Sequence, residues 1–424
     1  MTARTAAGNE SLTINARDAE VLRPLAEQVA AFAALPVQEE KRRLWKQLNS
    51  LKSVRPLVHL CQEPWNEFEG TEYSLTCEGQ LARQVEAQLC QKVWRWMHAP
   101  ADDPVEAVVW TLAVYEETPW GPPLPSRSRD AAVEYPSVIR TMADVEKINL
   151  QEIRYHADAT VSKTEAIERA CGGMIAVDPA VGLCPALWDL LVQWYGTNEL
   201  MADLIENPEL VHAAARRCTD MIIHRMRQFE AQDALHLNNR FHGAGAGGLA
   251  YTDELPQADF NGKVRLKDLW GNQMAQIFVG VSPEMHDEFA LRYEIEILLH
   301  FGLNCYGCCE PLHKKVGIVR KIPRLKRISM SPWVDWDEGA AAIGRDFIFS
   351  AKPNPALLAG NAWNPGPARE QLAQIIRASI AHDCRLEIVL KDIHTLRREP
   401  RRLAEWSRMA MGLVEEAVSG KGTP

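Results

Sequence analysis

Short apolar runs alternate with longer amphipathic stretches along this sequence, most regularly after about residue 170. The apolar runs that we predict as strands are 55–63, 106–115, 173–177, 235–239, 275–281, 302–306, 327–330, 346–350 and 386–392. Strands that alternate with helices through short links are typical of a parallel sheet with crossover helices. We therefore predict an α/β fold, and the number of strands favours a closed (β/α)8 barrel, the TIM barrel.

The first fifty or so residues have a different pattern. Apolar residues at helical spacing over 21–32 and a charged stretch over 39–46 predict helices without strands between them. We predict an N-terminal helical extension over residues 1–54, followed by the barrel over residues 55–424.

Composition limits the class of protein further. A chain of 424 residues with 46% apolar content can bury a large core, and its net charge of −9 argues against nucleic acid as the main partner. No window approaches 18 uninterrupted apolar residues, so we expect no membrane-spanning helix. Ten cysteines without a regular framework, and an N-terminus without an apolar signal segment, predict a reducing cytoplasm.

Three cysteines, a glutamate and a histidine crowd the stretch 303–313, LNCYGCCEPLH. It follows an apolar, helix-like stretch and precedes a return to helical pattern, so we expect it on a strand-to-helix connection, where α/β enzymes keep their chemistry. Thiolate and imidazole are ligands of soft metals. Free cysteine is also among the most buried residue types, so simple packing of Cys305, Cys308 and Cys309 is the alternative.

Other patterns are weaker candidates for a site. His59, Cys61 and Glu63 alternate along the first predicted strand and would share one face. Glycines at 243–248 lack the spacing and the following helix of a nucleotide-binding loop. Tryptophans on predicted loops would suit a bulky or cationic substrate, although loop anchoring explains any one of them equally well. They are Trp65, Trp120, Trp333, Trp336 and Trp363.

Four stretches carry a resemblance to a known superfamily: 306–313 (YGCCEPLH), 328–335 (ISMSPWVD), 349–355 (FSAKPNP) and 390–395 (LKDIHT). On these motifs the chain resembles the uroporphyrinogen decarboxylase and corrinoid methyltransferase superfamily of (β/α)8 barrels. The resemblance spans residues 55–417 and rests mainly on the part after residue 282. Uroporphyrinogen decarboxylases have an arginine-rich loop after the first strand, whereas 62–66 (QEPWN) has no arginine. The resemblance therefore favours the methyl-transferring relatives.

Those relatives hold zinc through a His-x-Cys pair and a distant second cysteine, and the zinc activates a thiol. The corresponding stretches here are 304–309, which has cysteines but no His-x-Cys, and 391–394. The resemblance thus implies a zinc site made of Cys308, Cys309 and His394. It also implies site roles for Glu310, as a metal ligand or general base, and for three residues that would orient the substrate. These are Asp335, Lys352 and Asp392.

The sequence is compatible with three functions. The first is a zinc-dependent methyltransferase or demethylase acting on a small methylated substrate. Because the chain has no Asp-x-His-x-x-Gly loop, any corrinoid would be carried by a separate protein. The second is a decarboxylase or other lyase using the same barrel mouth, and the third is a barrel that binds a small ligand without catalysis. A homodimer is compatible with each of them.

Overall fold

The computed structural model describes residues 12–124, 127–129 and 132–419. The helices are α1 (Ala16–Ala33), α2 (Pro36–Asn49), α3 (Gln80–His98), α4 (Met142–Val145), α5 (Ala157–Ala170), α6 (Leu187–Tyr195), α7 (Thr197–Glu206), α8 (Pro208–Ala231), α9 (Pro283–Met285), α10 (Arg292–Leu298), α11 (Val316–Val319), α12 (Trp336–Ile343), α13 (Pro365–Ala381) and α14 (Arg401–Ser419). A π-helical stretch, His286–Leu291, joins α9 to α10. None of the helices in the described ranges is long and apolar enough to cross a membrane.

The strands form one large parallel sheet and three small ones. They are β1 (Leu57–Leu60), β2 (Val108–Leu112), β3 (Tyr115–Glu117), β4 (Arg127–Arg129), β5 (Ala132–Glu134), β6 (Ile153–Tyr155), β7 (Ala176–Ala180), β8 (Trp270–Gln273), β9 (Leu303–Tyr306), β10 (Leu325–Met330), β11 (Ile348–Ala351) and β12 (Arg385–Leu390). The large sheet has six parallel strands in the order β1-β12-β11-β10-β9-β8. A separate parallel pair joins β2 to β7, and two antiparallel pairs join β3 to β6 and β4 to β5. The predicted parallel α/β sheet is therefore confirmed, whereas a continuous eight-stranded ring is not found among the described residues.

Side-chain amides take the place of neighbouring strands at two strand edges. Gln88 of α3 accepts a hydrogen bond from the N–H of Trp110 in β2 and donates one to its carbonyl, both at 2.9 Å. Asn238 does the same for Trp270 in β8, at 2.9 Å and 3.0 Å. At these two residues the backbone N–H and C=O are therefore satisfied without a neighbouring strand.

Two of the predicted strands are wrong. The stretch 235–239 has no ladder and is hydrogen-bonded to β8 through the side chain of Asn238. The stretch 275–281 contains a 3-10 turn, Gln276–Gly280, and the strand lies just before it as β8. The N–H of Ala275 is bound by the carboxylate of Glu310 at 3.2 Å, so it is not available to a neighbouring strand.

The two faces of the six-stranded sheet differ in polarity, as the alternation of side chains along each strand requires. One face is apolar and packs against the helices; its residues are Val58, Leu60, Tyr306, Ile328, Met330, Phe349, Ala351, Ile388 and Leu390. The opposite face, which we call the polar face, is also buried; its polar residues include His59, Arg327, Ser329, Ser350 and Glu387. A buried polar face must be satisfied from within the protein.

At the centre of the polar face, Arg327 of β10 forms a bidentate ion pair with Glu387 of β12, with both distances at 2.7 Å and both side chains fully buried. Arg327 also donates to the side chain of Asn49 at the end of α2 (2.9 Å), and the N–H of Gly248 donates to Glu387 (2.8 Å). The glycine-rich stretch 243–248 therefore lies against the polar face, where it has a packing role.

Glycine is required there for lack of space. A Cβ at Gly248 would lie 2.4 Å from the Trp45 ring, and one at Gly247 would lie 2.2 Å from the Arg327 side chain. Trp45 belongs to α2, which packs against Leu57 and Ile348 at the amino ends of the strands.

The division into an extension over 1–54 and a barrel over 55–424 stays a prediction.

We expect Glu387→Gln to lower the free energy of unfolding by about 3–5 kcal/mol, because it leaves the Arg327 guanidinium buried without its counter-charge. Urea titration measures the effect. Glu165→Gln is the matched control, since the Glu165–Arg169 pair is exposed and its loss should cost less than about 1 kcal/mol. Equal effects of the two variants would contradict the importance of the buried pair.

We expect Gly248→Ala to destabilise the protein by about 1–3 kcal/mol, because the added methyl group overlaps the ring of Trp45. Gly412→Ala serves as control: it adds a methyl group in α14 with nothing within 4 Å, and alanine is the better helix former. Thermal midpoints should therefore move in opposite directions in the two variants.

Candidate functional site

The carboxyl ends of β9, β10, β11 and β12 lie side by side, because these strands are parallel neighbours. The chain leaves β9 at Gly307, whose φ of +89° is in the left-handed region that favours glycine. A Cβ there would lie 2.5 Å from the carbonyl oxygen of Ser329. This tight turn places Cys308, Cys309 and Glu310 at the edge of the sheet.

The two cysteines on this turn are in contact with each other. Their sulfur atoms are 3.4 Å apart. Cys308 is buried and Cys309 is exposed, with its sulfur 3.7 Å from a carboxylate oxygen of Asp392. The buried sulfur of Cys308 is therefore in contact with a sulfur atom that is exposed to solvent.

Two lysine side chains approach Cys308 from adjacent strand ends. The Lys391 ammonium, just after β12, lies 3.3 Å from the Cys308 sulfur and 3.5 Å from Asp392. The Lys352 ammonium, just after β11, donates to the Cys308 carbonyl at 2.8 Å and to the hydroxyl of Ser329. Both lysines are buried, so their charges act in a medium of low dielectric constant.

This environment favours a thiolate at Cys308. The hydrogen bond from Cys309 is the largest cause of a lowered pKa at Cys308; burial opposes it, and the ammonium groups of Lys352 and Lys391 lower the pKa further. Donating that hydrogen bond raises the pKa of Cys309. Of the two thiols, Cys308 is therefore the one whose pKa is lowered towards the thiolate form. A thiolate, unlike a thiol, is a good nucleophile.

Glu310 is almost fully buried beneath this pair. Its carboxylate accepts hydrogen bonds from the N–H of Cys308 (2.8 Å) and of Ala275 (3.2 Å). Burial raises its pKa, although the backbone hydrogen bond from Cys308 opposes the shift. Glu310 therefore fixes the turn that carries Cys308. Because its pKa is raised, the Glu310 carboxylate also binds a proton more readily than an exposed carboxylate does.

A buried polar chain lies behind Glu310 on the apolar side of β9. The Tyr306 hydroxyl donates to Glu294 at 2.6 Å and pairs with His286 at 2.7 Å. Burial raises the pKa of Glu294 to about 8, and burial together with nearby Lys315 lowers that of His286 to about 3. These side chains hold the end of β9 against the helical layer.

The first strand contributes a further cluster beside Lys391. The N–H of Cys61 donates to the carbonyl of Leu390 (3.0 Å), which continues the pairing of β1 with β12. His59 pairs with Asp103 at 2.6 Å. Burial would lower the pKa of His59, but the Asp103 carboxylate raises it well above its ordinary value. The strand that carries His59 therefore lies beside the strand that ends just before Lys391, and membership of His59, Cys61 and Glu63 in the site stays a prediction.

Two predicted site residues are exposed and have no recorded contact with the thiols among the described residues. Asp335 is exposed and accepts a hydrogen bond from the N–H of Glu338 (2.9 Å), so it caps the start of α12. His394 is exposed. The chain departs from strand geometry at Asp392, whose φ is +57°, so the alternation that would place Asp392 and His394 on one face does not continue.

The donor set does not fit a zinc ion in this arrangement. Within residues 12–124, 127–129 and 132–419, no three His, Cys, Asp or Glu side chains are grouped so that they could share one metal ion. The groups nearest to the Cys308 sulfur, apart from Cys309, include the Lys391 ammonium, which repels a cation. Cys308 and Cys309 are therefore not grouped with the further ligands that a zinc site needs.

Sequence reasoning missed the part played by Lys391 and Ser329. Lys391 occurs in the motif at 390–395, but only its position directly after β12 places it against Cys308. Ser329 and Ser350 both lie on the polar face, with their hydroxyl oxygens 3.4 Å apart. The Ser329 hydroxyl accepts a hydrogen bond from the Lys352 ammonium. The alternation of polar residues along β10 and β11 is the signal that could have identified Ser329.

Comparisons with known proteins show a shared fold. No protein-family model matches the chain, and no curated protein matches it. Among solved structures, one described as a methyltransferase from Methanosarcina mazei aligns over 89% of this chain and 98% of that chain, with a TM-score of 0.50 and 9% sequence identity. At this identity the likeness shows the fold and not the chemistry.

We expect Lys391→Met to raise the pKa of Cys308, because it removes the ammonium group beside the sulfur. Alkylation by iodoacetamide requires the thiolate, so its midpoint should move upward by about one pH unit or more, and the reaction at neutral pH should slow accordingly. Peptide mass spectrometry of Cys308 after alkylation across a pH series measures the midpoint. Lys314→Met, on the exposed side of the same connection, is the control; the same midpoint in both variants would rule out the proposed effect.

Proposed function

We propose that the protein is an enzyme that transfers a methyl group to or from a small substrate. The observation that carries the proposal is the Cys308 thiol, held 3.3 Å from the Lys391 ammonium at the carboxyl edge of a parallel sheet. A low-pKa thiolate at this edge is suited to attack an electrophilic carbon. The shared fold with a methyltransferase is consistent with it but does not by itself define the reaction.

We also propose that the parallel strands enclose a distorted (β/α)8 barrel. In the described residues, β1, β2 and β7–β12 are parallel strands, divided between the six-stranded sheet and the β2–β7 pair. The buried polar face of the large sheet would then be the interior, and the carboxyl edge with Cys308 would be the mouth, where barrel enzymes place their catalytic groups. The β1–β12 pairing already joins the first strand to the last.

In the proposed step, the Cys308 thiolate attacks the methyl carbon of the substrate. The sulfur–carbon bond forms while the bond from carbon to the leaving group breaks, with the two groups in line. Lys391 and Lys352 stabilise the thiolate before attack, and Glu310 holds the N–H of Cys308 so that the sulfur has a fixed position. Asp392 faces the exposed thiol of Cys309 and would orient the substrate.

Return of the methyl group from sulfur requires a strong nucleophile. A reduced corrinoid on a separate protein would supply such a nucleophile when bound. Zinc stays a prediction from the sequence, and because the donor set does not fit it, no step is assigned to it. We also propose a reducing compartment such as the cytoplasm, which is the prediction from the irregular cysteine spacing of the sequence.

A second candidate function has support from the lysine pair. Lys352 and Lys391 place two ammonium groups at one edge of the sheet, an arrangement that suits a carboxylated substrate. In that case the site would act as a decarboxylase or other lyase, with Glu310 in acid–base chemistry. Release of carbon dioxide in place of a transferred methyl group would favour this alternative.

Methyl transfer to Cys308 can be tested directly. We expect incubation with a panel of small methylated amines, ethers and thioethers to add the mass of one methyl group to the peptide that contains Cys308. Cys308→Ser should abolish this labelling and reduce substrate demethylation by more than about a thousandfold, as expected for loss of a nucleophile. Peptide mass spectrometry and loss of the methyl donor are the measurements.

Cys384→Ser is the matched control, because Cys384 is a half-buried free thiol whose sulfur donates to the carbonyl of Ala340, away from the site. It should keep full labelling. The thermal midpoint of each variant checks that the fold is intact. Demethylation at the original rate in a folded Cys308→Ser variant would refute the proposed role of Cys308.

A further inference from the structure

Cys308 and Cys309 are adjacent in sequence and in contact in space. Their sulfur atoms are 3.4 Å apart, Cys309 is exposed, and the Lys391 ammonium lies 3.3 Å from the Cys308 sulfur. A disulfide requires sulfur atoms about 2.05 Å apart, and closing the gap from this starting distance requires rotation of both side chains together with adjustment of the turn that carries them. The segment between Gly307 and Pro311 belongs to no strand or helix, so such rotations need not break regular structure.

We propose that Cys308 and Cys309 form a two-electron dithiol centre that reduces hydroperoxides and is itself oxidised to a disulfide between the two adjacent residues. This activity goes beyond methyl transfer and does not depend on it. Its only link with the proposed function is that oxidation removes the Cys308 thiolate, so the same chain would lose its nucleophile under oxidising conditions.

The chemistry balances with a hydroperoxide as the oxidant. The Cys308 thiolate attacks the terminal oxygen, the oxygen–oxygen bond breaks, and the leaving oxygen takes up a proton, which leaves a sulfenic acid on Cys308. The sulfur of Cys309 then attacks that of Cys308, the sulfur–oxygen bond breaks, and water leaves with the Cys309 proton. The thiolate–thiol pair has lost two electrons and one proton; the peroxide has gained the two electrons, the proton of Cys309 and a second proton from solvent, which the leaving oxygen takes up.

The disulfide formed in this way should be easily reduced. Consecutive Cα atoms lie about 3.8 Å apart across a trans peptide bond, whereas most disulfides span about 4.4–6.8 Å. The short span strains the bond, and strained, accessible disulfides are the labile ones. A low-molecular-weight thiol entering at the exposed Cys309 can therefore regenerate the dithiol.

The test uses the full-length, reduced protein and hydrogen peroxide. After peroxide treatment, iodoacetamide blocks the remaining thiols, and peptides are analysed by mass spectrometry. We expect the peptide with Cys308 and Cys309 to lose two hydrogens and to resist alkylation, at a rate at least about tenfold above the oxidation of Cys384. Dithiothreitol should restore both thiols.

Two variants define the chemistry. In Cys309→Ser the disulfide cannot form, and we expect a sulfenic acid on Cys308 that dimedone traps; Cys384→Ser should behave as the unmodified chain. If both thiols of the unmodified chain remain alkylatable, or if their peptide gains oxygen without losing two hydrogens, the proposal is overturned. Because the readout is the mass of one peptide, a failure to detect methyl transfer leaves this result unaffected.

Discussion

A guanidinium and a carboxylate without exposed surface, those of Arg327 and Glu387, join β10 to β12 across β11. Removing both charges from water costs several kcal/mol for each ion, so the pair is tolerated only with near-ideal geometry and added hydrogen bonds. Asn49 and the N–H of Gly248 provide those bonds. The pair therefore fixes α2, the glycine-rich stretch and the sheet in one arrangement, and the polar face depends on it.

Polarity continues along the same face from this pair to the candidate site. Ser329 and Ser350 lie between the ion pair and the ammonium of Lys352, which reaches the turn that carries Cys308. Charges in such a buried medium act strongly on one another. The electrostatic environment of Cys308 therefore depends on the strands of the polar face, because Lys352 directly follows β11 and Lys391 directly follows β12.

The sequence was sufficient to predict the parallel α/β sheet and the position of the cysteine cluster, because both follow from local patterns. What failed depends on distant partners. Glu310 captures the N–H of Ala275 from 35 residues away and prevents a strand there. The site role of His394 stays a prediction, although the left-handed backbone at Asp392, a local feature, interrupts the alternation from which it was inferred.

Gln88 and Asn238 each imitate a single residue of a β-strand, offering one donor and one acceptor to the main chain of Trp110 and of Trp270. Deamidation of either side chain would replace the donor with a charged oxygen facing a carbonyl oxygen. The new carboxylate would then repel the carbonyl oxygen of Trp110 or Trp270, to which the amide had donated a hydrogen bond. Deamidation of these two amides would therefore remove the hydrogen bonds at the edges of β2 and β8 without unfolding either strand.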